Sequence, residues 1–312
     1  MNFLELRPER WIEMDYKYLL AGSTGQIGRL MKEELEKDGS VYCIGRDYKE
    51  VGLPKAEHVI NAAGYTKFNN KIERYWFDNI RLSITLANYA EKIGAHYHQL
   101  SSEATAEFRN DVMPEKIGVP IAHPEMNHYA LSKVLTEQSV TSIMTPGKLS
   151  IYRCSDVVPP RNRMDEEWRR NHWLSILFSA GKHGFLQNDH YPIWTAQVDE
   201  LSKAIVLIIN SKKPGVYHLL GHRYYWNEFF SYTLRHSRLP KMINKFVKQV
   251  TPIIRINPPL ATTINGYQTN KFLKVLGFEW TYLNENYWYK FAQIAFDKSK
   301  EGENYGLKRT DG

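Results

Sequence analysis

Tyr129 and Lys133 stand one helical turn apart in the run Asn127-His128-Tyr129-Ala130-Leu131-Ser132-Lys133. Residues four apart on a helix share a face, so the lysine ammonium lies where it can stabilise a phenolate. Tyrosine ordinarily ionises near pH ~10, and one that must exchange protons near neutrality needs such a neighbour. By itself the spacing is common and fits an ordinary solvated helix face. It becomes specific beside two upstream features, the pair Ser101-Ser102 and the glycine-rich turn Gly22-Ser23-Thr24-Gly25-Gln26-Ile27-Gly28.

The largely apolar run Lys17-Tyr18-Leu19-Leu20-Ala21 leads into that turn, and an amphipathic stretch rich in Leu, Lys and Glu follows it to Lys37. A strand, a glycine turn and a helix in this order are the setting of a dinucleotide fingerprint. Gly22 then permits the tight turn, Gly25 lets the backbone approach a pyrophosphate, and Gly28 lets the helix pack closely on the strand. The phosphates would rest on the N–H groups at the helix N-terminus, beside Thr24, Gln26 and Ile27. The second strand should end in Val41-Tyr42-Cys43-Ile44-Gly45-Arg46-Asp47. An acid at this point accepts the ribose hydroxyls of NAD, whereas an arginine grips a 2′-phosphate. Gly45 takes the acid's slot and Arg46 follows, which favours NADP(H) over NAD(H); Asp47 would restore an acid after a small shift of register.

Around these residues the first half alternates strand and helix patterns, as a parallel sheet with crossover helices requires. The patterns predict strands at 17–22, 40–45, 57–62, 95–101 and 148–153, and helices near 26–38, 72–93 and 127–142. The fold class is therefore α/β, a Rossmann-like doubly wound parallel sheet. A long irregular segment, 103–126, carries Pro114, Pro120 and Pro124; loops of that length are usually functional or mobile. The second half predicts helices near 166–182, 196–211 and 226–236, a strand at 214–220, and aromatic-rich helices near 268–276 and 285–298. Pro159-Pro160 mark the exit from the sheet. The division is an N-terminal arm at 1–16, a dinucleotide-binding domain at 17–160, and a smaller mixed α/β lobe at 161–312 that returns some elements to the sheet. Trp11 and Tyr16 belong to the arm. Only about a dozen residues separate Gly45 from His58, and a single crossover with its helix already takes at least ~10–12, so a further strand and helix do not fit. The sheet is thus expected to be shortened after its second strand.

Composition bounds the function. Apolar residues make up 43% and charged residues 24% of the chain, the balance of an ordinary globular protein. The apolar run Ala204-Ile205-Val206-Leu207-Ile208-Ile209 falls far short of the ~20 residues of a membrane span. Glu5, Arg7, Glu9 and Arg10 stand where the apolar core of a signal peptide would be, so a cytoplasmic location is expected. Cys43 and Cys154 form neither a disulfide framework nor a metal-ligand spacing, the histidines are scattered, and no serine sits in a G-x-S-x-G elbow. A net charge of +7 suits an anionic ligand such as a dinucleotide or nucleotide-sugar, while the absence of a basic block argues against nucleic acid.

The spacing G-x-x-G-x-x-G, followed in order by Ser101-Ser102, Tyr129 and Lys133, resembles the extended branch of the short-chain dehydrogenase/reductase superfamily. Within it the likeness is to the dTDP-4-dehydrorhamnose reductase and epimerase/dehydratase group. It is carried further by Val59-Ile60-Asn61-Ala62-Ala63-Gly64-Tyr65-Thr66, by Ile151-Tyr152-Arg153-Cys154-Ser155-Asp156-Val157-Val158, and by Gly215–Gly221 with Trp226-Asn227-Glu228-Phe229. It extends over residues 17–235. The resemblance implies that Tyr129 is the acid, that Lys133 lowers its pKa and bonds the nicotinamide ribose, and that Ser102 holds the substrate oxygen, with adjacent Ser101 as the alternative. Asn79 would support the site; Asn61, Ala62, Ala63, Gly64, Cys154 and Val157 would line the cofactor. Tyr65, Thr66, Glu103, Asn171, His172 and Trp173 would face the substrate, and Arg161 and Arg163 would meet a diphosphate or water. The implied activity is NADPH-dependent reduction of a keto group on a nucleotide-activated deoxysugar, with homodimerisation through the Tyr129 helix common in the superfamily. Two alternatives remain at this point. One is an epimerase or dehydratase that retains NAD; the other is a non-catalytic regulatory subunit, which the missing strand and helix favour.

Overall fold

Apolar residues on both sides of a strand demand cover on both sides. In β1 (Tyr16–Ala21), Tyr18, Leu19, Leu20 and Ala21 are all buried. The computed structural model describes residues 16–45, 52–66, 72–106, 111–164, 192–225 and 264–300. After β1 come α1 (Gln26–Leu35), β2 (Val41–Ile44) and β3 (Ala56–Asn61). Next follow α2 (Ile72–Tyr75), a π-helical turn (Trp76–Arg81), α3 (Leu82–Ile93), β4 (His96–Ser102) and a 3₁₀ turn (Glu103–Ala106). The chain continues with α4 (His128–Ile143), β5 (Leu149–Cys154), β6 (Asp156–Val158), β7 (Pro192–Gln197), α5 (Val198–Asn210), β8 (Gly215–Leu219), β9 (His222–Tyr225), α6 (Tyr267–Val275) and α7 (Glu285–Lys300).

Six strands form one parallel sheet in the order β2-β1-β3-β4-β5-β8. Alternation along the strands divides its two faces. Tyr18, Leu20, Ile60, Leu100 and Tyr152 pack with Met31 and Leu35 of α1 and Leu201, Ile205 and Ile208 of α5. Leu19, Val59, Tyr97 and Ile151 pack with Leu86 and Ala90 of α3 and Val140 of α4. The doubly wound α/β architecture follows, and the shortened sheet with it. Among the described residues, β2 is an edge strand with no neighbour beyond it.

Each of the five strands predicted in the first half lies within one residue of its expected limits. The first helix ends at Leu35 rather than near residue 38 because Asp38 turns away to bind Lys17 Nζ at 2.6 Å and the Tyr18 hydroxyl. A second sheet, β6-β7-β9, was not expected. Its strands are short, and the first residue of β7 is a proline, so neither length nor alternation announces them. The expected helices at 166–182 and 226–236 lie outside the described residues, as do residues 1–15 of the arm.

Toward the N-terminal ends of the strands, His58 of β3 and His96 and His98 of β4 cluster. His58 Nδ1 lies 3.0 Å from His98 Nε2, His98 Nδ1 lies 2.9 Å from the Tyr152 hydroxyl, and the His96 and His98 rings stack at 4.4 Å. Burial, with Lys17 and Lys212 nearby, draws His58 down to about 4. Burial, with His58 and Lys148, does the same to His96, and His98 falls well below the usual histidine range. An unfolded histidine titrates near ~6.5, so between these values the unfolded chain binds more protons and acid favours unfolding. We expect urea unfolding to show stability fully present above about pH 6.5 and lost as pH falls through about 4. After allowance for partial exposure each ring contributes on the order of 1–2 kcal/mol. A His58→Gln/His96→Asn variant with an undiminished slope over this window would rule the cluster out as the cause.

Candidate active site

The glycine turn is built as its sequence demands. Gly22 has φ +83°, and a Cβ there would lie 2.5 Å from Ala63 N and 2.6 Å from the Ala62 carbonyl carbon, so the turn presses on the end of β3. At Gly28 a Cβ would lie 2.1 Å from the Gly22 oxygen, which fixes α1 tight against the turn. Gly25 is the helix N-cap and offers no capping side chain, leaving first-turn N–H groups of α1 to an external acceptor. Thr24 is exposed on the turn, and Ile27 packs into the core between α1 and α5. The Gln26 side-chain nitrogen is buried beside the turn with no hydrogen-bond partner among the described residues.

Across the sheet, Asn61 is fully buried. Its Oδ1 accepts the Ala63 N–H at 3.1 Å, and its Nδ2 donates to Ser83 Oγ at 2.8 Å and Gln99 Oε1 at 3.2 Å. The side chain therefore shapes the Ala62–Gly64 bend and leaves only backbone for a ligand there. Asn79 sits inside the π-helical turn, a feature often found at functional sites. Its Oδ1 accepts the Tyr65 N–H at 2.5 Å, while its Nδ2 donates to the Tyr65 carbonyl at 3.2 Å and to Ser132 Oγ at 2.9 Å. Asn79 thus clamps the bend after β3 to α4. Gly64 lies against Asn79 and Lys133: a Cβ there would be 3.5 Å from Lys133 Nζ.

The two adjacent serines separate cleanly. Ser101 is buried and its hydroxyl donates to Glu137 Oε1 at 2.6 Å, so it faces away from the crevice. Ser102 accepts the Ala104 N–H at 3.2 Å and is hydrogen-bonded to the Tyr129 hydroxyl. Asn127 caps α4 by accepting the Ala130 N–H at 2.9 Å, which sets Tyr129 in the first turn. Lys133 Nζ lies 5.8 Å from the Tyr129 ring centroid and donates to the Leu100 carbonyl at 3.2 Å. Burial pushes the half-buried Tyr129 phenol well above its ordinary range, outweighing the Ser102 hydrogen bond that lowers it. Burial also draws Lys133 down to about 8, against the pull of Cys154 and Glu137.

Glu103 and Asp156 bring a second acidic feature that spacing did not reveal. β4 and β5 pair Ser102 with Cys154, so the residues just beyond each strand meet. Burial, then the Asp156 carboxylate, push the Glu103 carboxyl well above its usual range, while a backbone N–H of Asp156 opposes this. Both acids also act on Tyr129. Cys154 is buried, unbridged and pushed up to about 12 by burial. Val157 pairs with Ala196 in the second sheet. Tyr65 is half-buried, 5.2 Å from the Tyr75 ring and under the Arg74 guanidinium at 5.3 Å; Tyr75 in turn lies 6.5 Å from Tyr129. Thr66 is exposed at the end of that segment. Arg161 donates its backbone N–H to Gln197, and Arg163 pairs with Glu33 at 3.5 Å. Arg46, Asn171, His172 and Trp173 lie outside the described residues. Among the described residues no group of His, Cys, Asp and Glu is placed to hold a metal ion, and no helix is long and apolar enough to cross a membrane.

A sequence profile of the NAD dependent epimerase/dehydratase family matches residues 18–217, from β1 into β8. The chain belongs to that family. It is accordingly an NAD(P)-dependent oxidoreductase of the short-chain dehydrogenase/reductase type. No curated protein is recognisably similar in sequence. Solved structures share the fold at low identity. A thiolation-reductase di-domain from an archaeal non-ribosomal peptide synthetase superposes with a TM-score of 0.71 at 17% identity, over 91% of this chain and 76% of that one. The dTDP-4-dehydrorhamnose reductase of Bacillus anthracis, in complex with NADP, gives 0.59 at 17% identity over 91% of this chain and 100% of that one. The Bordetella bronchiseptica enzyme WbmH, in complex with NAD+, gives 0.63 at 18% identity over 92% and 99%. Of these structures, the Bacillus one holds NADP and the Bordetella one NAD+.

Proposed function

We propose that this epimerase/dehydratase-family protein uses NADPH to reduce a keto group on a nucleotide-activated sugar or a similar small carbonyl compound. The observation that carries the reading is the hydrogen-bonded pair of Ser102 and Tyr129 hydroxyls beside Lys133, across the sheet ends from the glycine turn. The residues present fit a dinucleotide. The uncapped start of α1 and the unpartnered Gln26 amide offer donors to phosphate, and a Cβ at Gly22 or Gly28 would block the turn that presents them. Gly64, Asn79 and Lys133 would hold the ribose and nicotinamide end. The bound cofactor supplies the hydride.

The chain's own groups then handle the oxygen. Ser102 donates a hydrogen bond to the carbonyl oxygen and orients it. Tyr129, kept protonated by burial, gives its proton to that oxygen as the alkoxide forms. Lys133 offsets the phenolate left behind. At neutral pH the phenol is protonated, the form that can give its proton to a developing alkoxide. Preference for NADPH rests on Gly45 and Arg46 in the sequence. A second reading, epimerase or dehydratase, draws on Glu103, whose carboxyl beside Tyr129 is a further proton carrier.

Titration of the purified chain with NADPH and with NADH, followed by tryptophan fluorescence and calorimetry, tests this. We expect micromolar NADPH binding and NADH weaker by about tenfold or more, the loss of ~1.4 kcal/mol that an unmatched arginine–phosphate contact would give. NAD that co-purifies and does not exchange would turn the assignment to the epimerase or dehydratase reading. Binding of neither nucleotide would overturn both and direct the search to a protein partner.

A further inference from the structure

One turn beyond Lys133 on the same helix face, Glu137 is only 1% exposed, and Arg153 of β5 is 0% exposed. Arg153 Nη2 donates to Glu137 Oε2 at 2.8 Å, and its Nε donates to Oε1 at 3.1 Å and Oε2 at 3.2 Å. Ser101 adds its hydroxyl to Oε1. The other side of the guanidinium donates from Nη1 to the Pro114 carbonyl at 3.2 Å and to His218 Nε2 at 2.9 Å. Burial beside Arg153 draws His218 down to about 3, so the ring is neutral and its Nδ1–H donates to the Asn265 carbonyl at 2.7 Å. Every group in the set is satisfied.

A buried ion pair of this kind is weak evidence for stability, since apolar residues of similar volume often serve as well. Its place in the site is more telling. Lys133 is faced on its own helix by Tyr129 and Glu137, from β5 by Cys154, and from β4 by the Leu100 carbonyl. Gly64 and the Asn79 amide approach from the β3 side, and Glu103 and Asp156 stand beyond, against Tyr129. Of these acids, the Cys154 thiol is pushed up to about 12 by burial, and the Glu103 carboxyl is raised well above its usual range. Glu137 brings its charge directly to bear on Lys133.

We propose that Glu137 is a positioning residue of this site, the carboxylate against which the Lys133 ammonium is balanced, fixed in place by Arg153 and Ser101. The inference rests on the reductase reading for the use made of Lys133. It gives a buried ion pair behind the site a task in the chemistry. Lys133 must remain cationic to face a phenolate and a ribose, while burial works against its charge. Removing Glu137 would leave Arg153 without its ion-pair partner and Lys133 without the buried carboxylate one turn away on its own helix.

The test follows Lys133 itself, by NMR of isotope-labelled lysine in the full chain from about pH 6 to 10, with K133R to assign the signal. Glu137→Gln is expected to lower the Lys133 midpoint by about one unit or more, a tenfold change in proton affinity. Arg153→Met is expected to raise it, because the carboxylate loses its competing cation. The double variant E137Q/R153M leaves no unmatched charge and keeps the test available if E137Q alone folds poorly; its midpoint should fall below that of R153M. A pair that is merely structural would lower the melting temperature and leave the midpoint unmoved in all three, which would overturn the proposal. NADPH titrations run in parallel separate the two readings. Shifted midpoints in a chain that binds no nucleotide refute the reductase assignment alone, whereas nucleotide binding with unmoved midpoints refutes the role of Glu137 alone.

Discussion

Replacing Tyr129 with phenylalanine is expected to reduce turnover about 10²–10⁴-fold, the usual contribution of a positioned acid, while NADPH affinity stays within about threefold. The reasoning separates ring from hydroxyl. The ring lies 6.5 Å from Tyr75 and under Lys133 Nζ at 5.8 Å, and phenylalanine keeps both contacts. Only the Ser102 hydrogen bond and the transferable proton are lost. Cofactor oxidation with a keto-sugar nucleotide, or with a small dicarbonyl as surrogate, is the assay. Turnover that survives the substitution would remove Tyr129 from the chemistry.

The second large effect falls on stability. Gly22→Ala meets two independent penalties. A residue with a Cβ at φ +83° costs about 1–2 kcal/mol, and forcing the new methyl into the Ala62–Ala63 backbone costs about 1–3 kcal/mol more. We expect denaturant unfolding to report a loss of roughly 2–5 kcal/mol, a large share of the stability of most domains. Gly25→Ala is the contrasting control. Gly25 has φ −73°, and its Cβ would meet only the Gly22 oxygen, at 3.2 Å. Its stability should move by less than about 1 kcal/mol, whereas phosphate approach to the helix start should suffer. Equal stabilities for the two variants would contradict the distinct roles given to these glycines.

The main sheet was legible because its strands carry short apolar cores between glycine or polar turns, Tyr18–Ala21 in β1, Val59-Ile60 in β3 and Ile151-Tyr152 in β5. The glycine turn and the Tyr129–Lys133 pair were legible because local spacing alone puts them in order. Register was harder. Nothing in the sequence tells Ser101 from Ser102; the strand's alternation does so only once one face is known to lie against α4. Glu137 and Arg153 escaped notice because their partnership spans the gap between a helix and a strand, and neither residue type is expected in a core. The environment of Tyr129 was hidden for a similar reason: its proximity to Lys133 could be read from spacing, but the residues packed round its hydroxyl could not.

The pairing of β5 with β8, which joins Ser150–Cys154 to Gly215–Leu219, sets an order on the birth of the molecule. On a ribosome, β5 emerges while the strand that will flank it has yet to be made. At roughly 5–20 residues per second, the intervening chain takes several seconds to synthesise. Throughout that interval a strand carrying the buried Arg153 presents an open hydrogen-bonding edge, the sort of edge that recruits other chains. His218, which closes the far side of the Arg153 guanidinium, arrives on the same late strand. The sheet and its charge network are therefore completed in one event, and a nascent chain stopped short of Leu219 would be a substrate for chaperones rather than a folded domain.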